Sequence, residues 1–254
     1  MVTRVTVPVA DGAPPGPTAA YLLADGDLLV DPAARTAALT EAVAAAQPDH
    51  IAVTHHHRDH AGALAEYAAA FDLTIWARAG REAAFESATG VEPDRTVVPG
   101  SEIPAGDGIP VLDAPGHAPE HVAFGAADGL VTGDLAVADG SVAVAAPDGD
   151  LRAYLSSLRR VHATAPDRLY PAHGPVIQDP RATCERLLCH RLRRERRVLA
   201  AVRDGHAAPD NIVDAAYEKD VAAVRDLARA TVVAHLEKLA VEGRVDWNGT
   251  RARV

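Results

Sequence analysis

The sequence predicts a mixed α/β domain, with sheets covered by helices, followed by a helical C-terminal appendage. Three observations carry this expectation. Short β-type runs alternate with helical stretches up to about residue 171. From Pro180 the texture turns helical throughout. The chain then ends on two β-type runs around Asn248-Gly249, a turn signal.

Taken in order, residues 2–9 and 19–23 read as strands, with a Pro- and Gly-rich surface loop between them at 11–17. Asp25-Gly26-Asp27 is a turn, and Leu28-Leu29-Val30 continues as a strand. Residues 36–47 form an Ala-rich helix stopped before Pro48. Ile51-Ala52-Val53 is a short buried strand, residues 61–71 a helix, 73–77 a strand, and 81–87 a helix. Further β-type runs lie at 109–112, 121–124, 129–132 and 142–145, before a helix at 151–163 and a strand at 168–171.

Within the helical tail, Leu188, Leu192, Leu199 and Val202 form a stripe at helical spacing, beside six arginines between 186 and 197. That stretch reads as an amphipathic helix packed on the core with a solvated basic face; a phosphate-contacting strip is the competing reading. Val245-Asp246-Trp247 and residues 251–254 flank Asn248-Gly249 as a two-residue hairpin, so the tail is winged-helix-like. The expected division is 1–179 for the mixed α/β domain and 180–254 for the tail, with no internal repeat or low-complexity tract.

Composition bounds the function. A formal charge of −10 argues against whole-surface attraction to nucleic acid or anionic lipid. Only two lysines occur, Lys219 and Lys238, as a GC-rich genome or a high-salt cytoplasm would give. No apolar run reaches the ~20 residues of a membrane-spanning helix, and the N-terminal residues read as a strand, so a cytoplasmic protein is expected. Cys184 and Cys189, five apart on a helix, suit packing better than a disulfide or a thiolate metal site.

Five of the 12 histidines fall between His50 and His60, directly after a strand. His55 and His57 can point to one side of an extended loop, and Asp59 and His60 follow where a helix begins. Imidazole and carboxylate are the donors that zinc and similar divalent ions prefer. His117, Asp134 and His173 each sit at the end of a later β-type run, in Pro115-Gly116-His117, Gly133-Asp134 and Ala172-His173-Gly174. Singly, each would be an ordinary turn residue; together with the loop they describe a metal centre.

The segment Thr54-His55-His56-His57-Arg58-Asp59-His60 resembles the His-x-His-x-Asp-His motif of metallo-β-lactamase-fold hydrolases, and the later motifs match in order. The resemblance covers nearly the whole chain. It implies a four-layer αββα sandwich with two divalent ions at one sheet edge. By that analogy His55, His57 and His117 hold the first ion, Asp59, His60 and His173 the second, and Asp134 bridges them. Zinc is the expected metal, with manganese or iron open at the carboxylate-richer site. Such a pair of ions lowers the pKa of a shared water to give hydroxide, and Asp59 both ligates and orients that nucleophile.

The tail, with His235-Leu236-Glu237-Lys238-Leu239 and Glu242-Gly243-Arg244-Val245, resembles that of the β-lactamase-like protein 2 group, as does Tyr170-Pro171-Ala172-His173-Gly174-Pro175. Mitochondrial members of that group are endoribonucleases on single-stranded RNA, so RNA phosphodiesters are the first substrate expectation. The metal motif is also that of hydroxyacylglutathione hydrolases (glyoxalase II), which makes a small-molecule ester or thioester the alternative. A nucleic-acid-binding regulator with a vestigial centre is a third reading, opposed by the complete ligand set. A true β-lactamase is not expected, since that group is mostly secreted. His121, where many relatives carry a small hydroxyl residue, is a catalytic candidate that protonates the leaving group or binds substrate; the alternative is a buried histidine supporting a ligand.

Overall fold

The structure is a computed structural model that describes residues 1–9 and 16–254. Residues 11–15 of the expected surface loop lie outside the described residues. Strands β1 (Thr3–Val7), β2 (Thr18–Leu23) and β3 (Leu28–Val30) form an antiparallel meander. Helix α1 (Ala37–Ala46) is capped by Thr36, whose hydroxyl accepts the Leu39 amide at 3.2 Å. It returns the chain to β4 (His50–Ala52), parallel to β3. Helices α2 (Arg58–Ala61) and α3 (Leu64–Phe71) lead to β5 (Thr74–Arg78), and α4 (Glu82–Thr89) leads to β6 (Arg95–Val97). The six strands lie in chain order in one sheet.

The second sheet has the order β11-β10-β9-β8-β7. It contains β7 (Glu102–Ile103), β8 (Ile109–Asp113), β9 (Val122–Ala126) and β10 (Gly129–Gly133), then crosses through α5 (Leu151–Thr164) to β11 (Arg168–Pro171), parallel to β10. The pleat sorts side chains into layers. All six residues of β2 are buried: Ala19, Tyr21 and Leu23 face the second sheet, while Ala20 and Leu22 face the helix layer with Leu39, Val43 and Leu64. Between the sheets they meet Val111, Val122, Phe124 and Val131. Tyr154, Leu155 and Leu158 of α5 cover the second sheet's outer face with Cys184 and Leu187. The result is the expected αββα sandwich.

The tail consists of α6 (Pro180–Arg203), α7 (Pro209–Ala216), α8 (Arg225–Val241) and the hairpin β12 (Asp246–Trp247) and β13 (Ala252–Arg253). Helix α6 serves both parts: its first half packs in the α5 layer, and Val198, Leu199 and Val202 pack in the tail's own core.

Several expectations change. Residues 142–145 are not a strand. Val142 and Val144 are buried as a β-type run would be, but side chains take the neighbouring carbonyls: His117 meets that of Ala143 and Arg191 that of Val142. The helix expected at 61–71 is broken after Ala61, because the Ala63 amide donates to the Pro32 carbonyl outside the helix at 2.9 Å. The wing loop has four residues between Trp247 and Ala252, organised by Asn248 Oδ1, which accepts the Thr250 and Arg251 amides at 3.0 and 2.8 Å. On α6 the face is only partly basic and solvated, since Arg191 is buried together with Leu187. Cys184 is a packing residue, whereas Cys189 is exposed; both are free. The short strands β6 and β7 were not anticipated.

Candidate metal centre

The loop after β4 and the C-terminal ends of β8, β10 and β11 meet at one edge of the sandwich, bringing the two sheets' loops together. The approach of the loops needs Gly133, whose φ is +47°. A Cβ there would lie 2.4 Å from Thr54 Oγ1 and 2.9 Å from His121 Nε2. Gly116 is placed the same way against α5, where a Cβ would fall 2.3 Å from the Tyr154 backbone.

All seven expected ligand residues converge. Three groups could hold a metal ion: His55, His57 and His117; His55, His60 and Asp134; and Asp59, His60 and His173, each with donor atoms within 4.8 Å of one another. His57 Nδ1 lies 2.9 Å from His55 Nε2 and 3.0 Å from His117 Nε2. On the other side His173 Nε2 lies 3.6 Å from Asp59 Oδ2. Asp134 stands between the two sets. Its Oδ2 is 3.5 Å from His117 Nε2, and its Oδ1 is 3.4 Å from His173 Nε2 and 3.8 Å from His60 Nε2.

The residues fit divalent ions on two counts. His60 Nε2, His173 Nε2 and Asp134 Oδ1 are buried without a hydrogen-bond partner. Buried polar atoms left unpaired are costly, and two imidazole nitrogens within 3.8 Å of one unpaired carboxylate oxygen are what a cation would satisfy. The donors are also imidazole nitrogen and carboxylate oxygen, with no thiolate among them.

In four of the five rings, those of His55, His60, His117 and His173, the outer nitrogen meets a protein oxygen, which turns the inner one toward the centre. His117 Nδ1 lies 2.7 Å from the Ala143 carbonyl, and His173 Nδ1 lies 3.3 Å from that of Pro17. His60 Nδ1 lies 2.9 Å from Asp31 Oδ2. The Thr54 hydroxyl donates to the same oxygen at 2.9 Å and stands 3.1 Å from His55 Nδ1, while the Thr54 amide donates to Asp31 Oδ1 at 2.7 Å. Asp31 is wholly buried and was missed in the sequence. Its only signal is its position at the end of Leu28-Leu29-Val30, much as Asp134 ends β10. Glu120 was also missed: it accepts the His56 amide at 3.1 Å, and His56 packs on Phe85 away from the cluster.

His121 is fully buried, with its ring stacked on His55 at 5.0 Å between centroids. Its Nε2 accepts the Asp134 amide at 3.1 Å, so the ring proton sits on Nδ1. Burial holds His55 and His121 well below the ordinary histidine range, with the neighbouring imidazoles adding to it. Burial also depresses His60, but Asp31, Asp134 and Asp59 outweigh it and carry that ring up to about 9. Burial would raise Asp59, yet the His173 hydrogen bond and the nearby rings leave its carboxyl below its usual range.

The Metallo-beta-lactamase superfamily model matches residues 13–173, and that of the Beta-lactamase associated winged helix domain matches residues 208–253. The chain belongs to the metallo-beta-lactamase superfamily, which contains hydrolases, and carries that winged-helix domain at its C-terminus. A Beta-lactamase-like protein 2 homolog of Drosophila melanogaster is 28% identical over 210 residues, 78% of this chain and 70% of the relative. An Atrochrysone carboxyl ACP thioesterase of Aspergillus chevalieri is 32% identical over 158 residues, 60% of this chain and 47% of that protein. A metallo-beta-lactamase family protein from Thermus thermophilus superposes with a TM-score of 0.78 at 25% identity, covering 99% of this chain and 98% of the other. No helix among the described residues is long and apolar enough to cross a membrane.

Proposed function

We propose that the chain is a binuclear metal-dependent hydrolase, with residues 1–179 carrying the chemistry and single-stranded RNA phosphodiesters as substrate. The supporting observation is Asp134, whose two carboxylate oxygens face one donor set each. His55, His57 and His117 would hold one ion, Asp59, His60 and His173 the other, and Asp134 both. Zinc suits these donors, and manganese or iron would suit the carboxylate-richer position. Bound there, two divalent ions would lower the pKa of a water and polarise the scissile phosphoryl or carbonyl oxygen.

The chain's own groups do the rest. Asp59 stays ionised at neutral pH and is only partly buried, so it can accept a hydrogen bond that orients the attacking water. His121 is read as a positioning residue: its lone pair is occupied by the Asp134 amide, and it is sealed from solvent. Phosphodiesters are favoured because the match to the Beta-lactamase-like protein 2 homolog spans most of both chains. The thioester reading keeps a foothold in the relative named as a thioesterase.

One preparation analysed for metal and assayed on single-stranded RNA and on an acyl-thioester tests both. Two metals per chain with RNA cleavage, abolished by Asp59→Ala, supports the first reading; thioester cleavage alone moves the enzyme to the second. Chelation should abolish either activity and lower the melting temperature. A chain that binds no metal overturns the proposal.

A further inference from the structure

The arginines of α6 work on two sides. Arg186 donates to the carbonyls of Gly140, Val137 and Ala138 at 2.6, 2.7 and 2.9 Å, and Arg191 to that of Val142. These brace the loop after β10. Arg193, Arg194 and Arg197 turn instead to a pocket of about 390 Å³ shared with His190, Tyr217, Glu218 and Lys219. Four cations there face one carboxylate, Glu218, which pairs with Arg197 at 2.8 Å. Arg194 is pinned, with its guanidinium 3.5 Å from the centre of the Tyr217 ring and a bond to the Ala216 carbonyl at 3.3 Å. Arg193 and Lys219 are exposed and form no ion pair among the described residues.

This concentration of positive charge stands out on a chain of net charge −10. Arg193 and Arg197 lie one helical turn apart, a spacing at which like charges weaken a helix. Burial, then the surrounding arginines, push His190 down to about 4, so the ring cannot add a further charge. The pocket is linked to the centre through the loop after β10. His190 Nε2 lies 3.4 Å from Ser141 Oγ, two residues before the Ala143 carbonyl that meets His117.

We propose that this pocket binds a phosphate group, with the pinned Arg194 and the free Arg193 and Lys219 as its donors. Arginine's fork and lysine's point charge suit that anion, and the rigid Arg194 loses little freedom on binding. The site stands independently of the reaction at the metals. Free phosphate, a nucleotide and an RNA strand share the chemistry.

The test uses the metal-loaded full chain and follows the His190 imidazole by NMR, assigned with His190→Gln. Inorganic phosphate, adenosine 3′,5′-bisphosphate and a non-cleavable oligoribonucleotide are titrated at constant ionic strength. Saturable binding that raises the His190 pKa by about one unit or more is expected, since the anion offsets the arginines. Arg193→Glu/Lys219→Glu, both exposed, should weaken it at least tenfold while leaving metal content unchanged and the melting temperature no lower; Arg193→Gln should do so more mildly. Tighter binding of the oligonucleotide than of free phosphate assigns the source to a strand, and equal binding assigns it to the free anion. A His190 signal blind to all three probes, or a double variant that responds as the wild type does, overturns the site without touching the hydrolase reading. Loss of RNA or thioester cleavage with this response intact would do the reverse.

Discussion

Asp31 offers no atom to the metal-ligand groups, yet its carboxylate receives the Thr54 amide and hydroxyl and faces His60 Nδ1. Asp31→Asn places an amide where an acceptor is needed. It should weaken metal at the His60 side by about 10–100-fold and cost about 1–3 kcal/mol of stability. Metal stoichiometry after dialysis and a thermal melt would check this; two fully retained metals would refute it. His121→Ala separates its two roles. As a positioning residue its loss leaves the Asp134 amide without an acceptor, lowering metal affinity while the shape of the pH–rate profile stays the same. A variant with full metal and a missing limb in that profile would restore the proton-donor role.

At the scale of elements, the stretch 137–145 joins the tail to the centre. α6 holds it through Arg186 and Arg191, and it holds His117 through the Ala143 carbonyl. The Arg191 guanidinium also lies 5.4 Å from the centre of the Tyr154 ring, and the whole side chain is buried, so Arg191 is packed as well as bonded. Arg191→Ala should therefore cost about 1–3 kcal/mol and loosen the His117 side of the centre, although Arg191 is not a ligand. Arg191→Met restores most of the volume but not the bond. It should recover the melting temperature more than the metal affinity, measured by competition with a chelator. Equal recovery of both would mean that the contact is packing alone.

For the whole molecule, buried histidines make the metal-free protein sensitive to pH in two directions. Burial first, then nearby positive groups, keeps His55, His121 and His235 neutral well below 6.5. Above pH 6.5 they carry no charge in either state and contribute nothing to pH dependence. Below it the unfolded chain takes up protons that the folded chain refuses, so stability falls with falling pH. His60 is the reverse: raised to about 9, its contribution is complete below 6.5 and is lost as pH rises through 9. These four groups give the metal-free protein its highest melting temperature near pH 6.5, with a decline on both sides. Melts of chelated protein across that range would check it, and a curve that rises steadily to alkaline pH would contradict it.

The candidate ligand residues were legible in the sequence because metal donors must be particular side chains, and here they stand at the ends of apolar runs in a recurring order. That helices cover the sheets and that the tail is winged were legible through hydropathy period and turn chemistry, both local properties; the αββα layer order followed from the motif resemblance. What stayed hidden depends on partners far along the chain. Asp31 is one aspartate after one strand until folding sets it against Thr54 and His60. Val142 and Val144 have the composition of a strand, but side chains claim the neighbouring carbonyls. Arg191 and Glu195 look like solvated helix residues until α8 and the loop after β10 bury them. Local physics thus determined which residues could do the chemistry and which segments would be helix or strand. Tertiary structure alone decided which way the imidazoles of His60, His117 and His173 turn, because that depends on hydrogen bonds between residues up to 156 positions apart.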